Sequence, residues 1–178
     1  MTDTYIRRAT ETDLPALAAL EHQTFSDAFR SAYPAADFEA FLAAHKSAAA
    51  VEKAFRQEGT EYYVTEEAGI LTGLMQLNFN KQPDNGTILP EPACELEKIY
   101  VLQTGQSKGI GRQLLHFATE LAEERNMRTI WLGVWEHNPR ARALYEREGF
   151  SAFGEHIFTV GTQHDRDILL GKVLTASR

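Results

Sequence analysis

The stretch that most constrains this chain is residues 96–112, LEKIYVLQTGQSKGIGR. It starts as a strand, because Ile99, Tyr100 and Val101 cluster there with charged residues between apolar ones. It ends as a helix: Ile110, Leu114, Phe117, Ala118 and Leu121 recur at helical spacing, with Glu120, Glu123 and Glu124 on the other face. Between the two lies a loop carrying Gly105, Gly109 and Gly111. A helix start leaves backbone N–H groups unpaired and carries about half a positive charge. The combination suits a phosphate or pyrophosphate, although many such glycine pairs are only turns. It is not a Walker loop, since no Lys-Ser/Thr pair follows at the required spacing, and the dinucleotide pattern Gly-x-Gly-x-x-Gly is absent.

The rest of the chain builds around this unit. A short strand is expected at 5–8, helices at 13–29, from about 37, and at 48–57, and a strand at 61–65. Tyr33-Pro34 separates the first two helices and Ser47 caps the third. A turn at 66–69 leads into a partner strand at 70–79, where Gly73 suggests a bulge. Residues 80–92 hold three prolines and little periodicity, which predicts an exposed loop. Strands follow at 94–101 and 129–134, joined by a helix over 109–125. Asn138-Pro139 is an N-cap with proline at the first helical position, opening a helix to Glu148 that Gly149 stops. Strands at 155–160 and 167–174 close the chain. This order describes one α/β domain over 1–178, a mixed sheet with crossover helices.

Totals narrow the function. At 178 residues a full core can form, and no apolar run approaches the ~20 residues of a membrane span. The first residues have no secretory h-region, and Cys94 is the only cysteine, so a cytoplasmic protein without disulfides is expected. A net charge of −7 disfavours nucleic acid and mildly favours cationic small partners. The six histidines include no His-x-x-x-His pair, and no metal is expected.

Three motifs in order carry a resemblance: Gln106-x-x-Gly109-x-Gly111 after a strand, Asn138 opening a later helix, and Tyr145 followed by Gly149-Phe150. Together they resemble the GNAT superfamily of acetyl-CoA-dependent N-acetyltransferases. The wording "LEKIYV", "GIG", "IWLGVWEHN" and "YEREGF" is most similar to the bacterial spermidine/spermine N-acetyltransferase group of PaiA type. The resemblance implies a mostly antiparallel central sheet flanked by helices, with splayed central strands. It implies that the backbone of Ile99, Tyr100 and Val101 pairs with pantetheine, and that the strands of Val101 and Trp131 part to admit the thioester. It also implies that N–H groups of Gln106, Ser107, Lys108, Gly109, Ile110, Gly111 and Arg112 cradle the CoA pyrophosphate. Asn138 would contact pantetheine and Tyr145 the sulfur.

Two side chains are expected to do chemistry. Tyr145 would donate a proton or hydrogen bond to the leaving thiolate; the plainer reading is an aromatic packed on its helix face. Glu97 would take the proton of the amine, which is almost wholly protonated at neutral pH (ordinary pKa ~10.4). Glu95 lies two residues away on the same strand face. The plainer reading of Glu97 is an exposed sheet-face carboxylate. Phe25, Phe29, Tyr33, Trp135 and Glu136 are candidates to bind an alkylammonium acceptor, against a core role for the aromatics. Cys94 lacks an adjacent histidine and is rejected as an acyl carrier. The expected reaction is direct attack of a primary amine, such as spermidine or spermine, on acetyl-CoA. The same chemistry on an antibiotic amine, a protein N-terminus or a lysine remains open. A non-catalytic acyl-CoA sensor and a nucleotide-binding protein without acyl chemistry also remain open. The partners expected are small molecules, neither nucleic acid nor membrane, and a homodimer is one assembly open to the chain.

Overall fold

The computed structural model describes residues 5–106 and 108–175. Its elements are β1 (Tyr5–Arg8), α1 (Leu14–Phe29), α2 (Ala35–His45), α3 (Ala48–Phe55), β2 (Thr60–Glu67), β3 (Ile70–Phe79), β4 (Ala93–Val101), α4 (Gln103–Gln106), α5 (Ile110–Glu124), β5 (Thr129–Trp135), α6 (Pro139–Arg147), β6 (Ser151–Val160) and β7 (Gln163–Val173). The strands form one sheet in the order β1-β2-β3-β4-β5-β7-β6. It is mostly antiparallel, as expected; β4 and β5 run parallel because α5 carries the chain across between them. Among the described residues no helix is long and apolar enough to cross a membrane.

The chain forms two compact units. The first comprises the residues up to Gln76, Lys98–Leu115 and Val160–Gln163. Its core joins Leu17, Ala18 and Leu20 of α1, Val51 of α3, Tyr62 and Val64 of β2, and Leu71 and Leu74 of β3. Ser47 caps α3 as expected, its Oγ accepting from the Ala50 N–H at 3.2 Å. The hairpin turn narrows to Ala68-Gly69, at φ 52° and 79°, which prolongs β2 beyond its predicted bounds while β3 keeps its own. Gly73 is explained by close approach: a Cβ there would stand 2.7 Å from Thr65 Oγ1 and 3.3 Å from the Tyr100 carbonyl oxygen.

Arg7 ties β1 to its surroundings. Its guanidinium donates to both Asp13 oxygens at 2.8 Å and to Glu66 Oε2 at 2.9 Å, and the Thr10 N–H donates to Asp13 Oδ2 at 2.7 Å. The Arg7 hydrogen bonds, the larger cause, and that of Thr10 hold the Asp13 carboxyl well below its ordinary value of 3.8. A lowered carboxyl stabilises the fold above the unfolded value and ceases to do so as pH falls through the folded one. We predict that Asp13→Asn, partly screened by solvent, costs about 1–2 kcal/mol at pH 7, or roughly 3–6 °C in Tm. Thermal melts should show that deficit shrinking below pH 4.

The second unit comprises Leu77–Glu97, His116–Thr159 and the residues from His164 on. Leu89, Ala93, Trp131 and Leu169 form a core against which Phe153 packs. β5 pairs with β7 from Thr129↔Val173 to Trp135↔Asp167. Its parallel register with β4 runs only from Ala93↔Thr129 to Glu95↔Trp131. Residues 80–92 are irregular, as expected, yet tied down. Trp131 Nε1 donates to the Lys81 carbonyl at 2.8 Å, the Gln82 side chain bonds both backbone groups of Leu89, and Leu89 is buried. Prolines and missing periodicity announce irregular backbone; they do not reveal that one apolar residue inserts into the core.

Candidate functional site

In the first unit the strand–loop–helix stretch has its predicted outline with one addition. Residues 103–106 form the short helix α4, and α5 starts at Ile110. The glycines differ in purpose. A Cβ at Gly105 would stand 2.9 Å from Ile110 Cδ1 and 3.0 Å from Val101 Cγ1, so this glycine permits packing. Gly109 has φ +76°, a left-handed conformation that glycine adopts without strain, and among the described residues nothing beyond its chain neighbours lies within 4 Å of its Cβ position. Around Gly111 only Val101 Cγ2 comes within that range, at 3.9 Å. A ligand can therefore approach the backbone at both positions closely. Helix geometry gives the amides of Ile110 and Gly111 no intrahelical acceptor. The Lys108 N–H instead donates to the Gly105 carbonyl at 3.1 Å, and its ammonium pairs with Glu67 at 3.0 Å. Gln106 Nε2 donates to the Val101 carbonyl at 3.3 Å. Ser107, expected in the same cradle, lies outside the described residues. Arg112 is exposed, and Ile99, Tyr100 and Val101 are half-buried. The open glycine backbone and helix start fit an anionic pyrophosphate.

Of the aromatic residues expected to bind an acceptor, Phe25, Phe29 and Tyr33 gather, whereas Trp135 is not among them. Phe25 lies 4.6 Å from Phe29, 5.8 Å from Phe38 and 5.4 Å from Phe41, centroid to centroid, and Tyr33 joins through Phe38 at 6.2 Å. Phe25 and Tyr33 are buried. The cluster already faces a cation: Lys46 Nζ stands 4.8 Å from the Phe25 ring centre and 5.6 Å from that of Tyr100. Lys46 and Lys98 both bond Glu21 Oε1, at 2.9 and 2.7 Å, and Glu21 is wholly buried. Lys98 Nζ also donates to the Tyr62 hydroxyl at 3.2 Å, which donates to Gln76 Oε1 at 2.7 Å. Sequence reasoning missed this network. Its available signal was Glu21 itself, a carboxylate four residues after Leu17 and four before Phe25, on the apolar face of α1.

In the second unit the polar cluster centres on β4. Asn78 Nδ2 donates to Glu95 Oε2 and to Glu97 Oε2, each at 2.7 Å. Glu97 is exposed, whereas Glu95 is half-buried. Burial is the main cause that pushes the Glu95 carboxyl up to about 7, and the Glu97 charge adds to it; the Asn78 hydrogen bond opposes both. A carboxyl at that value exchanges protons at neutral pH. Sequence reasoning favoured Glu97 on the family resemblance; the relative depth of two residues on one strand face depends on neighbours that the sequence does not place.

Asn138 caps α6 as expected, its Oδ1 accepting from the Ala141 N–H at 3.1 Å. Tyr145 is 8% exposed and packs edge-on against Phe150 at 6.1 Å. Trp135 Nε1 donates to Asp165 Oδ2 at 3.1 Å. Glu136 accepts from the Arg166 backbone N–H at 2.8 Å and from its guanidinium at 3.0 Å, bonds that lower its carboxyl. Glu136 is thus engaged by an arginine. With His137 and Asp165 it brings three potential metal-ligand atoms within 4.8 Å of one another, and the Glu136 and Asp165 side chains already accept from Arg166 and Trp135. His116 pairs with Glu148 at 2.7 Å, and Cys94 is buried.

The profile of the acetyltransferase (GNAT) family matches residues 18–150. An uncharacterised N-acetyltransferase encoded in the pepI 3′ region of Lactobacillus delbrueckii subsp. lactis is 32% identical over 98% of this chain and 99% of its own. Among solved structures, the PaiA N-acetyltransferase of Thermoplasma acidophilum, in complex with coenzyme A, superposes with a TM-score of 0.73 at 18% identity, covering 97% of this chain and 99% of that one. The ribosomal-protein-S18-alanine N-acetyltransferase of Escherichia coli gives 0.68 at 20% identity, covering 98% and 96%. These two likenesses are of fold. The family match covers most of the chain, which belongs to the acetyltransferase (GNAT) family and is an acetyl-CoA-dependent N-acetyltransferase.

Proposed function

We propose that this N-acetyltransferase acts on a small, cationic primary amine, with polyamines such as spermidine and spermine as first candidates. The observation that carries this reading is the pair Glu95–Glu97 bridged by Asn78. Two carboxylates side by side attract an ammonium, and the one near 7 can then remove its proton. The PaiA-type wording of the sequence and the PaiA N-acetyltransferase among the fold neighbours support a polyamine. The aromatic cluster around Phe25 is not the proposed amine site, because Lys46 already supplies its cation.

In this reading the backbone of Ile99, Tyr100 and Val101 holds pantetheine, and the amides at the start of α5 hold the pyrophosphate. Acetyl-CoA supplies the acetyl thioester. Glu95 accepts the proton of the amine, directly or through water. Tyr145 donates to the sulfur that departs, and Asn138 holds the pantetheine region. The Glu97 carboxylate, beside Glu95, draws the ammonium in. Removing a proton from an amine of ordinary pKa ~10.4 by a carboxyl near 7 costs about 5 kcal/mol at ~1.4 per unit, below the roughly 8–23 kcal/mol by which enzymes lower barriers. For an ordinary carboxylate the cost is larger.

The test is thiol release from acetyl-CoA over a panel of amines. We expect spermidine and spermine to give kcat/KM at least tenfold above aminoglycosides and above peptides with a free N-terminus. A preference for the peptides would overturn the polyamine assignment. Coenzyme A binding without turnover on any amine would support a sensor instead.

A further inference from the structure

Asn78 sits near the end of β3, 7% exposed, with its side-chain nitrogen 2.7 Å from Glu95 Oε2 and 2.7 Å from Glu97 Oε2. A primary amide carries two N–H donors on that nitrogen, one for each carboxylate. The reverse orientation would set a carbonyl oxygen against two carboxylate oxygens, so the chemistry of the partners decides the assignment. Only the primary amides offer two donors from one atom without adding charge, and glutamine is one methylene longer: serine and threonine have one donor, and lysine would bring a cation.

We propose that Asn78 is a positioning residue for acetyl transfer, clamping Glu95 and Glu97 side by side and keeping Glu95 available in its ionised form to accept the proton of the amine. This rests on the reading of Glu95 as proton acceptor. Two carboxylates held within reach of one nitrogen repel each other, and the one in the drier position takes up a proton first. Burial and the Glu97 charge push Glu95 toward the neutral acid, with a smaller push from Asp84. Asn78 and Lys81 act in the other direction. On β5, beside it, the residue opposite Glu95 is Trp131, which carries no charge. Asn78 is therefore the neutral group that keeps Glu95 in balance near neutral pH.

The experiment compares wild type with Asn78→Leu, which keeps size and removes both donors. Glu95 is followed in protein labelled with 13C at glutamate carboxyls, its signal assigned by its loss in Glu95→Gln. In parallel, kcat is measured against pH at saturating amine and acetyl-CoA. We expect the Glu95 midpoint to rise by about one unit and the acid limb of kcat to move with it. The rate at pH 7 should fall about five- to tenfold, while the alkaline plateau stays within about twofold. If Asn78→Leu does not fold, Asn78→Ser, which keeps one donor, should give a smaller shift in the same direction. An unmoved Glu95 midpoint overturns the clamp. A midpoint that rises while the acid limb stays overturns Glu95 as proton acceptor and, with it, the catalytic role of Asn78. A rate lowered equally at every pH with no shift in the carboxyl signal marks a merely structural residue and also overturns the proposal.

Discussion

Tyr145→Phe is expected to lower kcat about 100-fold while leaving the affinity for acetyl-CoA within about twofold. The substitution deletes one hydroxyl. The ring is buried and edge-on to Phe150, and phenylalanine keeps that contact, so folding and the seating of α6 should survive. On the proposed mechanism, what is lost is the donor to the sulfur. A thiolate leaving without a proton or hydrogen bond carries its full charge in a poorly solvated place, and the barrier rises accordingly. Turnover should be measured by thiol release, affinity by calorimetry with coenzyme A, and stability by a thermal melt. A Tm within a few degrees of wild type together with the fall in kcat would assign the effect to chemistry. Unchanged turnover would leave Tyr145 as a packing residue.

Glu95→Gln is expected to cost as much or more, about 10²–10³ in kcat, because an amide cannot accept the proton of the ammonium. Glu97→Gln should cost less, roughly tenfold, and should move the acid limb of the profile downward, since the Glu97 charge helps to hold Glu95 up. Glu95 also leaves a mark on stability. Its folded value of about 7 exceeds the ordinary 4.5, so between those values the folded chain binds more protons than the unfolded one. Stability contributed by Glu95 is then full below about 4.5 and falls as pH rises toward 7. Glutamine does not titrate. The stability of Glu95→Gln relative to wild type should therefore increase from pH 4.5 to 7 and level off above. Urea melts across that range would show it. A difference independent of pH would mean that Glu95 titrates like an exposed carboxylate.

Much of the fold was legible because it is locally encoded. Ser47 and Asn138 cap the helices they precede, the 70–79 strand has its predicted bounds, and α5 buries Ile110, Leu114 and Ala118 along its apolar face. α4 escaped notice because a four-residue turn has no period to detect. The site was less legible, since its polar partners are far apart in the chain. Nothing near Glu95 in sequence announces Asn78, and nothing near Glu21 announces Lys98. Glu95 and Glu97 alternate identically with their neighbours, and only the surroundings of the folded strand make one drier than the other. Phe25 and Phe29 of α1 meet as neighbours one helical turn apart, yet the cation that Phe25 faces comes from Lys46, at the end of α2.

Direct transfer to the amine is tested most simply by a single turnover watched on the protein itself. Enzyme in excess is mixed with acetyl-CoA, and the intact protein mass and free thiol are recorded before and after spermidine is added. We predict no gain of an acetyl group by the chain and no thiol release beforehand, then thiol and acetylated amine in equal amounts. An acetyl group on the protein before the amine arrives, on Cys94 or elsewhere, or thiol released without amine, would contradict direct attack.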